Sequence, residues 1–585
     1  MGNQPYVDVP DFGTIYGESV PYRHDYPDID TNVNIYRGIP YAKNASNYRF
    51  MRPEPKLTLD DGVLNATTSG SMCWQLPDMT TPGQSEDCLF LDVWTPSPQP
   101  TDAPVMVWIH GGAFLFGSGS STGYDGHMYC AEHGIIFVAI NYRLNGFGFL
   151  STGDAVLPGM YGMFDQLEAL KWVKRNIHAF GGNPDEVTIF GQSAGGGSVG
   201  LHLLSPESAE YFNRAILISG TATSPWAVET DGQKARDDAF AVGRSRWADC
   251  GDVSSSQELV TCLRGVPEED LVLAMNAVML TTTHVIPLVP TVDGAFLPDD
   301  PVELVRRREF NMCPIMVGTT KDDGSLVASR AFPAKVPFED PSIDEAELRE
   351  SFLQFTYTYS NDVIVDAMMQ QYVDWTVADD PEANFFYYYM DAETDEAFAC
   401  PADGWARAYA EIGQDVYYYQ FTHYPNTSAW SGDGWPWKGV AHGEDLQFIF
   451  GFHFNPAYDR WDDMPQKEIE LSLDIIRYYA NFAKTGNPNL NMSGGTPDTS
   501  SKSWPAFTLP DLEYKILDLN LSNGRALKAE TCHFWNEYLP SLVSHTMDMP
   551  ELEQQWREDY EQWKTVDMVA WQDAFEDYKA NTPPC

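Results

Sequence analysis

Short, apolar, β-branched runs alternate with longer amphipathic stretches through the first half of this chain, and that alternation limits its fold more than any other feature. Residues 105–109, 135–140, 187–190 and 215–219 read as buried strands, residues 161–176 as a helix, and residues 315–317 as a further strand. Strands interleaved with helices pack as a mostly parallel sheet covered on both faces, an α/β fold. In such a sheet ligands bind beyond the carboxyl ends of the strands. Between the last of these strands and His442 the pattern reads as mainly helical, with Phe385-Phe386-Tyr387-Tyr388-Tyr389 as packing.

The pattern G-x-S-x-G is spelled three times, centred on Ser121, Ser193 and Ser198. A nucleophilic serine needs a strand before it, a sharp turn at it and a helix after it. Only Ser193 fits, because residues 187–190 precede it and an apolar stretch through Leu201, Leu203 and Leu204 follows. A tight turn without chemistry remains the competing reading of the local sequence.

A serine hydroxyl near neutral pH needs a base in contact and an acid that orients the base. In this type of fold the chain order is serine, acid, histidine. His442 lies in the glycine-flanked loop Gly439-Val440-Ala441-His442-Gly443 and is the candidate base. Asp322 and Asp323 both follow the strand at 315–317, and physical argument alone does not choose between them. Donors for an oxyanion, each worth about 3 to 4 kcal/mol, are expected in His110-Gly111-Gly112-Ala113-Phe114 and at Ala194, the residue after the nucleophile.

The chain has 585 residues, without a linker or a fixed repeat. One catalytic domain over 1–545 and a tail over 546–585 are expected, since composition shifts only there. The net charge of −48 argues against nucleic acid and anionic membranes as partners. No apolar run is long enough for a membrane span. The opening Met1-Gly2-Asn3-Gln4-Pro5-Tyr6 matches neither a signal peptide nor a myristoylation motif. Sequons at Asn44, Asn65, Asn426, Asn491 and Asn520 favour a secreted glycoprotein. Of nine cysteines, Cys73 lies near Cys88 and Cys250 near Cys262; loops of that size would gain about 3 kcal/mol if bridged.

Together, Ser85-Glu86-Asp87-Cys88-Leu89-Phe90-Leu91-Asp92-Val93-Trp94-Thr95-Pro96, Phe180-Gly181-Gly182-Asn183-Pro184, the Ser193 turn and Asn481-Phe482-Ala483-Lys484-Thr485-Gly486-Asn487-Pro488 resemble the cholinesterase/carboxylesterase family of α/β-hydrolases across nearly the whole chain. The resemblance implies a serine ester hydrolase with an acyl-enzyme intermediate and no metal or cofactor. It selects Asp323 over Asp322; most members carry glutamate there, and the bile-salt-activated lipases carry aspartate. Gly112, Ala113 and Ala194 fall on the family's oxyanion donors. It also implies disulfides Cys73 to Cys88, Cys250 to Cys262 and Cys400 to Cys532, leaving Cys130 and Cys313 as buried thiols.

The tail resembles the tryptophan-rich tail of tailed cholinesterases, through Trp556, Tyr560, Trp563, Trp571, Phe575, Tyr578 and the terminal Cys585. Leu552, Trp556, Tyr560 and Trp563 share one helical face. The resemblance implies a homo-oligomer, dimer or tetramer, joined through the tail, with an interchain disulfide at Cys585 and a Pro-rich anchoring peptide as partner. One departure is the spacing Trp563 to Trp571, eight residues where the family has seven, which rotates the later aromatics by about 80° in a regular α-helix.

Cholinesterases hold a trimethylammonium group against aromatic faces, and several positions of that site differ here. Gln192 replaces a glutamate, Leu326 and Val327 replace aromatics after the acid, and His284 and Ile286 fall on the acyl pocket. The Cys73 to Cys88 loop is shorter, with Trp74 at the wrong end for choline stacking, whereas Trp226 is retained. A neutral ester is therefore the expected substrate. A choline ester is the alternative, and an inert adhesion module with this fold is the second.

Overall fold

A computed structural model of the chain describes residues 4–25, 28–75, 83–279, 286–354, 361–378, 380–428, 435–455, 464–490, 502–547, 560 and 562–581. Eleven strands form the central sheet: β1 (Glu18–Asp25), β2 (Asp28–Pro40), β3 (Phe90–Ser97), β4 (Ala103–Ile109), β5 (Ile136–Ile140), β6 (Gly182–Gln192), β7 (Arg214–Ile218), β8 (Ile315–Thr320), β9 (Val416–Phe421), β10 (Glu513–Leu517) and β11 (Asn523–Arg525). Their spatial order is β11-β10-β9-β8-β7-β6-β4-β5-β3-β2-β1. The strands from β5 to β10 in this order are parallel, and antiparallel pairs close both edges.

The expected α/β sheet is present, with the five expected strands as β4 to β8 and six further strands, β1, β2, β3, β9, β10 and β11, that the sequence pattern did not mark. β9 runs through a segment whose pattern reads as helical. It is buried along its whole length, so its residues face core on both sides and show no alternation. β1 and β2 also lack an apolar signature, because part of their length faces solvent, as at the exposed Arg23 and Asp30 ion pair.

Six helices bear on the site and the tail: α1 (Tyr161–Asn176), α2 (Ala194–Leu204), α3 (Phe386–Thr394), α4 (Cys400–Glu411), α5 (Gln466–Thr485) and α6 (Met568–Asn581). The pleat of β4 divides the core between two of them. Val105, Val107 and Ile109 pack with Met163, Leu167 and Leu170 of α1, whereas Met106 and Trp108 pack with Ile475, Tyr479 and Phe482 of α5. At the start of α3, Phe385, Phe386 and Tyr389 are buried in a separate cluster with Tyr388 packed against it, as expected, whereas Tyr387 is exposed.

Cys73 bonds Cys88, Cys250 bonds Cys262, and Cys400 bonds Cys532. Cys130 and Cys313 are buried thiols. Asn44, Asn65, Asn426 and Asn520 are exposed; Asn491, His284 and Cys585 lie outside the described residues. Among the described residues, no helix is long and apolar enough to cross a membrane.

In the tail, Trp556 and Leu552 lie outside the described residues. Beyond them Trp563–Asp567 forms one π-helical turn that leads into α6, and the Met568 N–H donates to the carbonyl of Trp563, five residues back. A π turn absorbs one residue of an α-helix, so the 80° rotation expected from the long spacing falls to about 20°. Trp563, Trp571, Phe575 and Tyr578 are all exposed, and Trp571 stacks on Phe575 with ring centroids 5.2 Å apart.

Candidate active site

β6 ends at Gln192 and α2 starts at Ala194, so Ser193 alone makes the turn. Its φ of 58° and ψ of −126° lie where a non-glycine residue rests only when its surroundings hold it. Two backbone bonds do so: Ser193 N–H donates to Ile218 O at 2.8 Å, and Ser193 O accepts the Gly197 N–H at 2.9 Å.

The segment after β4 comes close to this turn. A Cβ on Gly111 would sit 2.4 Å from Gln192 O and 3.1 Å from Ser193 Cβ, so only glycine admits the approach. Gly112, Ala113 and Phe114 then take positive φ in succession, and Gly112 O accepts the Leu115 and Phe116 N–H groups. Among the described residues the N–H groups of Gly112 and Ala113 meet no acceptor. Ala194 opens α2, where an N–H has no partner within its helix. Free donors beside a hydroxyl suit a developing oxyanion. His110 is buried under this loop and stacks on Tyr142 at 4.5 Å; burial pushes its pKa down to about 4, so it stays neutral.

His442 Nδ1 lies 2.7 Å from Asp323 Oδ1. The other carboxylate oxygen accepts the Ser219 hydroxyl and the Thr320 N–H, both at 2.9 Å. Asp323 is fully buried at the end of β8 and keeps both oxygens engaged. Asp322 turns away from the histidine and binds the Val440 N–H instead. Phe398 lies against the imidazole with centroids 4.8 Å apart. Phe398 belongs to a π-helical turn, Asp395–Ala399, that joins α3 to α4. In the same turn Ala397 O accepts the Trp226 indole N–H at 2.9 Å.

At the far side of the ring, His442 Nε2 meets Gln192 Nε2 at 3.0 Å. Among the described residues Ser193 Oγ makes no hydrogen bond to that nitrogen, although Gln192 and Ser193 are adjacent. Side-chain contacts of a resting enzyme are often looser than those of its substrate complex.

Trp226 is buried and its ring lies 5.9 Å from Phe398. Val327 is buried and Leu326 is exposed on the helix Ser325–Ala331. Ile286 lines a separate cavity with Phe149, Leu288 and Thr291, and no member of the Ser193, Asp323 and His442 group lines it.

Three contributors were not legible in the sequence. Ser219 follows β7 with φ 45° and reaches Asp323 from 104 positions away; its place at a strand end was the only signal. Phe398 had none. Asp445 is buried behind the pair with Oδ1 unpartnered, and burial, then the charges of Asp323 and Glu444, raise its pKa to about 8.

The chain matches the model of the carboxylesterase family over residues 3–535. It is 36% identical over 582 residues to acetylcholinesterase of Bungarus fasciatus, covering 97% of this chain and 91% of that protein. It is 34% identical over 618 residues to acetylcholinesterase of Electrophorus electricus, covering 97% and 93%. The fold is that of an α/β-hydrolase, and the chain belongs to the carboxylesterase family. It is a carboxylic-ester hydrolase.

Proposed function

We propose that the protein is a secreted hydrolase of neutral esters that works through an acyl-enzyme on Ser193. His442 removes the Ser193 proton as Oγ attacks the carbonyl carbon, then delivers it to the departing alcohol. Water, deprotonated by the same imidazole, releases the acid and restores the serine. Asp323 holds the Nδ1–H tautomer and stabilises the imidazolium, and the N–H groups of Gly112, Ala113 and Ala194 bind the oxyanion. The observation that carries this reading is the span of His442, from Asp323 Oδ1 at 2.7 Å to the residue adjoining Ser193 at 3.0 Å.

Support for a neutral substrate comes from Gln192, which puts an uncharged amide beside the histidine, and from the aliphatic Leu326 and Val327. A choline ester is the second reading, favoured by the two acetylcholinesterase relatives and by the net charge of −48, which attracts cations. Measuring kcat/KM for acetylthiocholine against phenyl acetate and phenyl butyrate separates the two. The neutral-ester reading expects the phenyl esters to lead; a wide margin for acetylthiocholine overturns it.

The exposed sequons support secretion. The aromatic face that runs from Trp563 to Tyr578 supports assembly of the chain through its tail, as a dimer or tetramer, around a Pro-rich peptide.

A further inference from the structure

Asp322 stands next to the acid of the site, and the two carboxylates do different things. Asp323 faces His442, whereas Asp322 takes both polar backbone atoms of Val440, two positions before that histidine. Its N–H donates to Val440 O at 3.1 Å, and its Oδ2 accepts the Val440 N–H at 2.8 Å. The chain enters Val440 through Gly439 at φ +57°, and a Cβ there would lie 2.2 Å from Asp322 Oδ2. The carboxylate is therefore pressed against a stretch of backbone that only glycine can supply. Burial pushes the Asp322 carboxyl above the ordinary carboxylate range, and the Val440 N–H pulls it back.

We infer that Asp322 is a positioning residue, whose side chain pins the loop bearing His442 to the turn bearing Asp323 and so fixes the reach of the imidazole toward Ser193. This rests on the triad reading above. Asp323 and Gln192 meet the ring at its two nitrogens, but neither ties the backbone of its loop. The Asp322 N–H ties that backbone once, at Val440 O, and the carboxylate adds a second fixed point at the Val440 N–H, so that the loop cannot pivot about a single bond. A displacement of about 1 Å in a reacting group can cost about 100-fold in rate, so a loosened loop would lower kcat and leave substrate binding nearly as it was.

Asp322→Ala and Asp322→Asn both remove the negative charge, but only asparagine keeps an oxygen that can accept the Val440 N–H. The expected result is a fall in kcat of about tenfold or more for Asp322→Ala, with KM within about twofold, and recovery of most of that loss in Asp322→Asn. Wild-type kcat in Asp322→Ala, or equal losses in the two variants, overturns the inference. Should the alanine variant not fold, Asp322→Glu serves: it keeps the charge but has no room beside Gly439, so kcat is expected to fall, and an unchanged kcat overturns the inference. Labelling of the wild-type enzyme by a fluorophosphonate is run alongside. Wild-type protein left unlabelled at Ser193 defeats the triad reading and this inference together. Labelled wild type with Asp322 variants of full kcat defeats this inference alone.

Discussion

Gln192 and His442 meet through their Nε2 atoms at 3.0 Å, across 250 positions of sequence. An amide N–H that donates to this nitrogen requires the imidazole to be neutral there, with its proton on Nδ1 facing Asp323. That is the tautomer a general base needs. In the proposed mechanism the same contact makes the glutamine a rival of the Ser193 hydroxyl for one lone pair, so its side chain yields as the hydroxyl engages.

Gln192→Glu places a carboxylate at that contact. A nearby negative charge favours the protonated imidazole, and only the neutral form accepts the serine proton. A lower kcat/KM at neutral pH and a higher affinity for tetramethylammonium are therefore expected. Unchanged values of both would mean that the contact does not form in solution.

Asp445 gives a pH dependence of stability. Burial, then the charges of Asp323 and Glu444, raise its pKa to about 8, above its unfolded value. The folded protein thus binds a proton that the unfolded chain gives up, and stability is lost as pH rises toward 8. The Asp445→Asn variant cannot lose that proton, so the drop in its Tm between pH 6 and pH 9 is expected to be smaller than the wild-type drop. Parallel Tm curves would contradict this.

The π turn at Trp563–Asp567 compensates for one extra residue between Trp563 and Trp571. If the chain assembles through its tail as proposed, deleting Thr565, which restores a seven-residue spacing in a plain α-helix, is expected to leave the sedimentation coefficient unchanged. Insertion of one alanine after Val569 turns the later aromatics by about 100° and is expected to reduce assembly, as is truncation before Pro550. An oligomer indifferent to the truncation would remove the tail from the assembly.

Much of the sheet was legible because β4, β5, β7 and β8 are short apolar runs whose ends carry glycine or small polar residues. Ser193 was legible because a strained turn between strand and helix writes glycines into the chain. Contacts between distant segments were not. Ser219 reaches Asp323 across 104 positions and Asp322 reaches Val440 across 118, and neither leaves a local pattern. β9 was hidden by burial on both faces: Tyr418 and Tyr419 hydrogen-bond within the core through their hydroxyls, so adjacent residues of one strand are equally buried. The two π turns near the site and in the tail break the period on which helical faces are read.

The account turns on whether the Ser193 hydroxyl is activated by His442. Intact-mass and peptide analysis after exposure of the folded protein to a fluorophosphonate reads this directly. One adduct per chain, on Ser193, is expected, absent in Ser193→Ala and formed at least about 100-fold more slowly in His442→Ala. Folded wild-type protein without an adduct, or with the same labelling rate in His442→Ala, would contradict it.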